Sequence, residues 1–257
     1  MTITIKTSQE IASLREGGKI LSEALKAAKE KAQSSVGQVS TLDVSLAAEK
    51  VILSRGAEPS FKGYSPDGIN PFPETACVSL NDEIVHGIPR KDRFIKPGDI
   101  VKIDVGVKFK GLFTDAARSV VVGKGSETAK KIVKITRESL ELGLREIRAD
   151  KYSGDYGEAV EKFVTQNGFH VVRGLVGHGV GHAVHEAPQI PNFGEANTGT
   201  KWLEGMVLAL EPMVNEKGSS IKLASDKMTF LTKKGGLSAH FEDTVVVTKN
   251  GCEILTR

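Results

Sequence analysis

Between Gly177 and Pro188 the chain reads GHGVGHAVHEAP, which gathers three of its six histidines, His178, His182 and His185, beside Glu186. His178 and His182 stand four apart, the separation that sets two imidazoles on one face of a helix for zinc. The backbone argues against that reading. Gly177, Gly179 and Gly181 each disfavour helix by about 1 kcal/mol relative to alanine, and the glutamate of an HExxH helix is absent. Alternating glycines suit an extended backbone that other chain segments approach closely, with successive side chains on opposite faces. On such a strand His178 and His185 diverge unless a bend intervenes. Each is therefore expected to do a separate job, and further ligands must come from elsewhere.

Carboxylates are the candidates. Asp104 sits in IVKIDVGV, Asp115 precedes AARSVVV, Glu211 ends VLALE before Pro212, and Glu242 precedes Asp243 and a Val-Val-Val run. An acid inside an apolar strand is costly unless a cation neutralises it. One alone reads most simply as a salt-bridged structural group. Four in equivalent pairs would converge four negative charges, which one basic side chain cannot offset and two divalent cations can. The pairs arise because PGDIVKIDVGV (97–107) is similar to EGMVLALEPMV (204–214), and FTDAARSVVVGKG (113–125) to FEDTVVVTKNG (241–251). A repeat of this kind implies related halves, roughly 8–125 and 126–257 of a single catalytic domain 1–257, with a site where they meet. A histidine ligand such as His178 favours Mn, Fe, Co or Zn over Mg or Ca.

The elements that must position these residues follow from periodicity. A capping box at Thr7 and Glu10 opens a helix to about 32, and a second helix spans about 41–54. Residues 58–74, with four prolines and two glycines, read as a loop carrying Phe61, Tyr64 and Phe72. Strands are expected at 76–80, 84–88, 100–107 and 112–122, helices at 127–147 and 156–166, and strands at 169–172, 206–214, 228–231 and 240–248. Lys249-Asn250-Gly251 predicts a type I′ turn into a last strand, 252–255.

Composition sets the frame. At 257 residues, 26% charged and 39% apolar, with a net charge of +3, the chain reads as an ordinary globular protein with no nucleic-acid signature. Two cysteines, Cys77 and Cys252, form no disulfide framework and fit a reducing compartment. No leader-like segment and no membrane-length apolar run is present, so a cytoplasmic location is expected.

The set Asp104, Asp115, His178, Glu211 and Glu242 resembles the five-ligand dinuclear site of the type I, bacterial-like methionine aminopeptidases. NDEIVHGIP (81–89), KIDVGV (102–107), FTDAARSV (113–120), GHGVGHAVHEAP, LEPMVN (210–215) and LSAHFEDTVVVT (237–248) look like the family's blocks in order. The resemblance implies an α+β pita-bread fold, two pseudo-twofold-related halves with a curved antiparallel sheet covered by helices. It implies a metalloaminopeptidase that removes the initiator methionine from nascent polypeptides through water activated by two divalent ions (Fe, Mn, Co or Zn), preferring a small second residue. Asp115 and Glu242 would bridge the ions, Asp104 would hold one, and His178 with Glu211 would complete the other. Glu211 would shuttle the proton. His86 would contact the peptide nitrogen and His185 the carbonyl oxygen, while His170, His182 and His240 would be structural. Tyr64, Phe72, Cys77 and Val184 correspond to pocket positions. Phe61 stands where many members have cysteine, Met228 where some have tryptophan, and the loop 65–70 looks lengthened. Implied partners are the N-termini of nascent polypeptides, with ribosome contact left open, and no membrane or specific nucleic acid; a monomer is expected. The rivals are a prolidase-like peptidase of the same fold, which normally carries an additional amino-terminal domain, and a catalytically silent binding protein of that fold, which typically lacks ligands.

Overall fold

The computed structural model describes residues 3–34, 37–65 and 68–257. Thr7 opens α1 (Ser8–Gln33): its hydroxyl accepts from the Glu10 N–H, and the Glu10 carboxylate accepts from the Thr7 N–H at 2.7 Å. Ser40 and Asp43 make the same reciprocal box at the start of α2 (Thr41–Ser54). Ser126 caps α3 (Glu127–Leu144), and the Asp155 carboxylate accepts from the Tyr152 N–H at 2.8 Å where α4 (Ser153–Gln166) begins. That cap starts α4 three residues ahead of the expected 156. Beyond Leu144 the N–H groups of Arg145, Glu146 and Ile147 each reach back three residues. This tighter winding prolongs the apolar period to Ile147 without continuing the α-helix.

The long hairpin Ile100–Phe109/Leu112–Val121 stays in register from Ile100 opposite Val121 to Phe109 opposite Leu112. Its two-residue turn, Lys110-Gly111, holds both residues at positive φ, 50° and 79°, as a type I′ turn requires. Ala76–Leu80 pairs with the other edge of Ile100–Phe109, where the short strand Glu58–Pro59 also pairs. A second, five-stranded antiparallel sheet runs in the order Cys252–Ile254, Asp243–Val247, Val207–Leu210, Gly177–Gly179, Glu186–Ile190. Two three-stranded sheets join these: Ser238–His240 with Met213–Asn215 and His170–Val171, and Ile221–Leu223 with Phe230–Thr232 and Glu83–Val85.

Two expected strands are broken at the acids they carry. Residues 206–214 form Val207–Leu210 and Met213–Asn215, interrupted at Glu211-Pro212, because proline has no N–H to give a ladder. Residues 240–248 form Ser238–His240 and Asp243–Val247, with Phe241 and Glu242 between them. The strand expected at 84–88 closes at Val85, since His86 takes φ 59°. The C-terminal hairpin is present, but its turn is not type I′. Val247 pairs with Cys252 across a four-residue connection, and neither Asn250 nor Gly251 has positive φ. A loop of that length needs no primed turn to match the strands' twist.

The helices α1 and α2 bury Leu21, Leu25, Val44 and Ile52 against Val78, Val101, Ile103 and Val105 of the first sheet. Ile132, Leu140, Tyr156 and Val160 of α3 and α4 do the same against Leu208, Leu210 and Val245 of the second. Truncating a fully buried residue such as Leu21 or Ile52 to alanine costs about 2–5 kcal/mol by removing both transfer energy and packing. The two sheets are joined where Ala117 and Glu242 exchange backbone hydrogen bonds.

Candidate metal centre and substrate cavity

The pleat delivers the acids in pairs. Asp104 lies opposite Ala117 on the long hairpin, so Asp115, two residues from Ala117, falls on the same face as a diagonal neighbour. In the second sheet His178 lies opposite Ala209, and Glu211, two residues on, again shares its face. Leu210 pairs with Asp243, so Glu211 and Glu242 come side by side where that ladder ends. Thr244 locks the two sheets together at this level: its hydroxyl accepts from the Asp115 N–H at 2.9 Å and donates to the Asp115 carbonyl at 2.7 Å. Arg118 donates to the Glu242 carbonyl and, at 2.6 Å, to the Asp243 carboxylate. Gly177 and Gly179 have to be glycines. A Cβ would stand 2.5 Å from the Ala209 carbonyl oxygen at the first and 2.2 Å from that of Ala187 at the second.

Asp104, Asp115, His178, Glu211 and Glu242 all line one cavity of about 440 Å³. Ligand atoms of Asp115, His178 and Glu242 lie within 4.8 Å of one another; His178 Nε2 is 3.5 Å from Glu211 Oε1. The carboxyls are held far from their ordinary state. Burial raises Asp104 to about 7. Burial first, and neighbouring carboxylates second, push Asp115, Glu211 and Glu242 well up. Asp104 Oδ1, Asp115 Oδ1 and Glu242 Oε1 are buried with no hydrogen-bond donor among the described residues. Oxygen atoms left in this way, in a cluster that resists ionising, are the complement of a cation. His178 fits the same purpose. Its Nδ1 is 2.9 Å from the Gly179 carbonyl, which only accepts, so Nδ1 carries the proton and Nε2 presents its lone pair. Burial lowers its pKa to about 3, which keeps it neutral. The residues present fit divalent metal.

His178 and His185 do not diverge. The chain bends at Gly181, φ 137°, and the two rings meet edge to face at 4.4 Å between centroids. Tyr64 Oη lies 2.7 Å from His185 Nδ1. His86 lines the same cavity, its ring edge-on to Phe230 at 5.7 Å, with burial lowering its pKa to about 4. Phe61, Phe72, Cys77 and Val184 form one buried apolar cluster against which Tyr64 and Met228 pack; of the six, Val184 stands behind the cavity wall and the rest line it. His182 points elsewhere, its Nε2 2.6 Å from Glu10 on α1, and His170 is exposed on its short strand. His240 is buried beside the acids, 3.7 Å from Glu211 and 3.9 Å from Glu242. Asn70, Lys227 and Phe230 also line the cavity. Sequence reasoning did not assign them to the pocket; the signals were that Asn70 ends the loop 65–70 and that Lys227 and Phe230 lie within two residues of Met228. Of the loop 65–70, Pro66 and Asp67 lie outside the described residues.

The chain matches metallopeptidase family M24 over residues 12–249 and belongs to that family. Divalent metal use comes with that membership, and the fold is the α+β pita-bread fold. Among its relatives, the methionine aminopeptidase of Clostridium perfringens is 43% identical over 254 residues, 99% of this chain and 98% of that one. Methionine aminopeptidase 1 of Bacillus subtilis is 41% identical over 255 residues, 99% of each. The crystal structure of the methionine aminopeptidase from Thermotoga maritima matches with a TM-score of 0.94 at 39% identity, covering all of both chains. The prolidase from Pyrococcus horikoshii shares the fold alone, with a TM-score of 0.77 at 24% identity over 98% of this chain and 63% of that one. Among the described residues no helix is long and apolar enough to cross a membrane.

Proposed function

We propose that this chain removes the N-terminal methionine from nascent polypeptides, preferring a small second residue. It would act in the cytoplasm as a monomeric single domain built from related halves, roughly 8–125 and 126–257. The observation that carries the reading is one cavity with two walls. One wall is a cluster of buried carboxylates beside His178, three of them with an oxygen that no donor among the described residues reaches; the other is the apolar cluster of Phe61, Phe72 and Cys77. A terminal methionine satisfies both, its thioether filling an irregular apolar recess while its α-amino group faces the acids.

Asp104, Asp115, His178, Glu211 and Glu242 would hold two divalent ions of the Fe, Mn, Co or Zn group. When bound, such ions supply Lewis-acid polarisation of the scissile carbonyl and activation of water near neutral pH. The chain's own residues do the rest. Glu211, at the end of its ladder beside His178 and His240, accepts the proton from the attacking water and returns it to the leaving amine. If Tyr64 donates to His185 Nδ1, the neutral ring carries its proton on Nε2 and offers it to the carbonyl oxygen as negative charge develops there. Burial lowers the pKa of His185 and so favours that neutral form. His86, neutral for the same reason, orients the peptide nitrogen. After reconstitution with each metal, turnover of Met-Ala-Ser with none of an Xaa-Pro dipeptide is expected; the reverse pattern would mean a prolidase-like enzyme.

A further inference from the structure

Residues 224–229 form the tip of the hairpin Ile221–Leu223/Phe230–Thr232, closed by the Ala224 N–H donating to the Thr229 carbonyl at 2.9 Å. The tip is pinned from inside. Asp226 Oδ1 accepts from the N–H groups of Met228 and Thr229, both at 2.9 Å, and its Oδ2 accepts from the Thr229 hydroxyl at 2.6 Å. It is also tied to the cavity, because the Thr229 hydroxyl lies 3.3 Å from the His86 carbonyl. Lys227 rides on this rigid tip. It is exposed, lines the cavity and takes a left-handed backbone, φ 60°. That conformation is unfavourable for any residue with a Cβ and free for glycine. A lysine held there, with its neighbour's carboxylate turned into its own loop, places an ammonium at the mouth by which a peptide must leave.

We infer that Lys227 is a specificity-determining residue that favours peptides carrying an acidic side chain just beyond their second residue. The inference rests on the aminopeptidase reading and deepens it. The methionine enters the apolar recess and the scissile bond lies over the acids, so the chain downstream exits past the cavity rim, where Lys227 stands. The four cavity carboxylates lie deep and are matched to metal, and the Asp226 carboxylate is engaged by hydrogen bonds within its own loop. A solvent-exposed ion pair of this kind supports discrimination of about two- to five-fold, screened by salt.

The test compares kcat/KM for three amidated peptides, Met-Ala-Asp-Ser, Met-Ala-Asn-Ser and Met-Ala-Lys-Ser, on the metal-loaded enzyme and on Lys227→Glu and Lys227→Gly. The expected order for the wild type is Asp over Asn over Lys, with the spread collapsing at about 0.5 M salt. Lys227→Glu should invert the order. Lys227→Gly should abolish it while leaving Tm equal or higher, because glycine relieves the left-handed backbone. A merely structural lysine would lower Tm on substitution and leave the order unchanged. A flat wild-type profile, or an order that survives Lys227→Glu, overturns the inference. If the wild type cleaves none of the three, the aminopeptidase reading falls and this inference with it.

Discussion

At the scale of single residues, the site depends on which atom of each ring bears a proton. The Gly179 carbonyl fixes that choice for His178 by accepting a hydrogen bond from Nδ1–H, and Tyr64 is placed to fix it for His185. Tyr64→Phe removes the 2.7 Å contact and leaves the ring free to choose its tautomer. We expect kcat on Met-Ala-Ser to drop by about fivefold, the worth of one hydrogen bond of about 1 kcal/mol, with metal content unchanged. A change in metal content instead would show that Tyr64 supports the ligands. Cys77 carries a second residue-scale prediction. Burial, then the nearby acids, push its thiol pKa well up, and only the thiolate is reactive. Native protein should therefore alkylate at Cys77 far more slowly than free cysteine, as befits a pocket wall; rapid labelling by iodoacetamide, mapped by mass spectrometry, would argue for a nucleophile.

At the scale of elements, the bend carrying His185 is fastened to the start of the chain. Lys6 Nζ and Thr4 Oγ1 both donate to Glu186 Oε2 at 2.6 Å, and Glu186 Oε1 accepts from the N–H groups of His182 and Ala183. The side chains of Lys6 and Glu186 are 1% and 8% exposed. Breaking such a buried pair from one side leaves the other charge unmatched, so Glu186→Gln should cost about 3–5 kcal/mol, measured by urea unfolding; a loss near zero would mean that water replaces the pair. Burial pushes the Glu186 carboxyl up, but the hydrogen bonds from Lys6 and Thr4 outweigh it and leave the pKa below the ordinary 4.5. A depressed carboxylate contributes stability that is present above pH 4.5 and lost as pH falls through the lower folded value, so the acid limb of the stability curve should flatten in Glu186→Gln. Much of this level could be read from residue order. The first helix announced its cap at Thr7, and the acids announced themselves by standing in apolar runs. The bend at Gly181 could not be read, because alternation along a strand says nothing of where the strand turns. Nor could Lys227 be placed at the mouth, since its position is set by a pairing between Phe230–Thr232 and Glu83–Val85 that are distant in sequence. The type I′ expectation at Asn250-Gly251 failed through loop length, while Lys110-Gly111, a weaker signal, adopts that turn.

At the scale of the whole molecule, the acids lie where two helix-covered sheets meet, Asp104 and Asp115 from one and Glu211 and Glu242 from the region closing the other. Metal held there would stitch the molecule together as well as serve chemistry. Binding to the folded state alone stabilises by about 2.7 kcal/mol at a hundredfold excess over Kd, which for a chain of this size corresponds to roughly 5–10 °C in Tm. Chelation should lower Tm by that amount and metal should restore it, followed by circular dichroism; an unchanged Tm would mean that the halves hold together without the ions. The central claim is a division of labour, with carboxylates and His178 holding metal while His185 faces the peptide. Metal content and Met-Ala-Ser turnover of His185→Ala and Asp115→Ala, measured on the same preparations, test it most directly. The expected result is that Asp115→Ala loses metal, whereas His185→Ala keeps wild-type metal and its kcat falls by about 10²- to 10³-fold, the loss typical of one oxyanion donor. Loss of metal from His185→Ala, or full metal occupancy in Asp115→Ala, would contradict it.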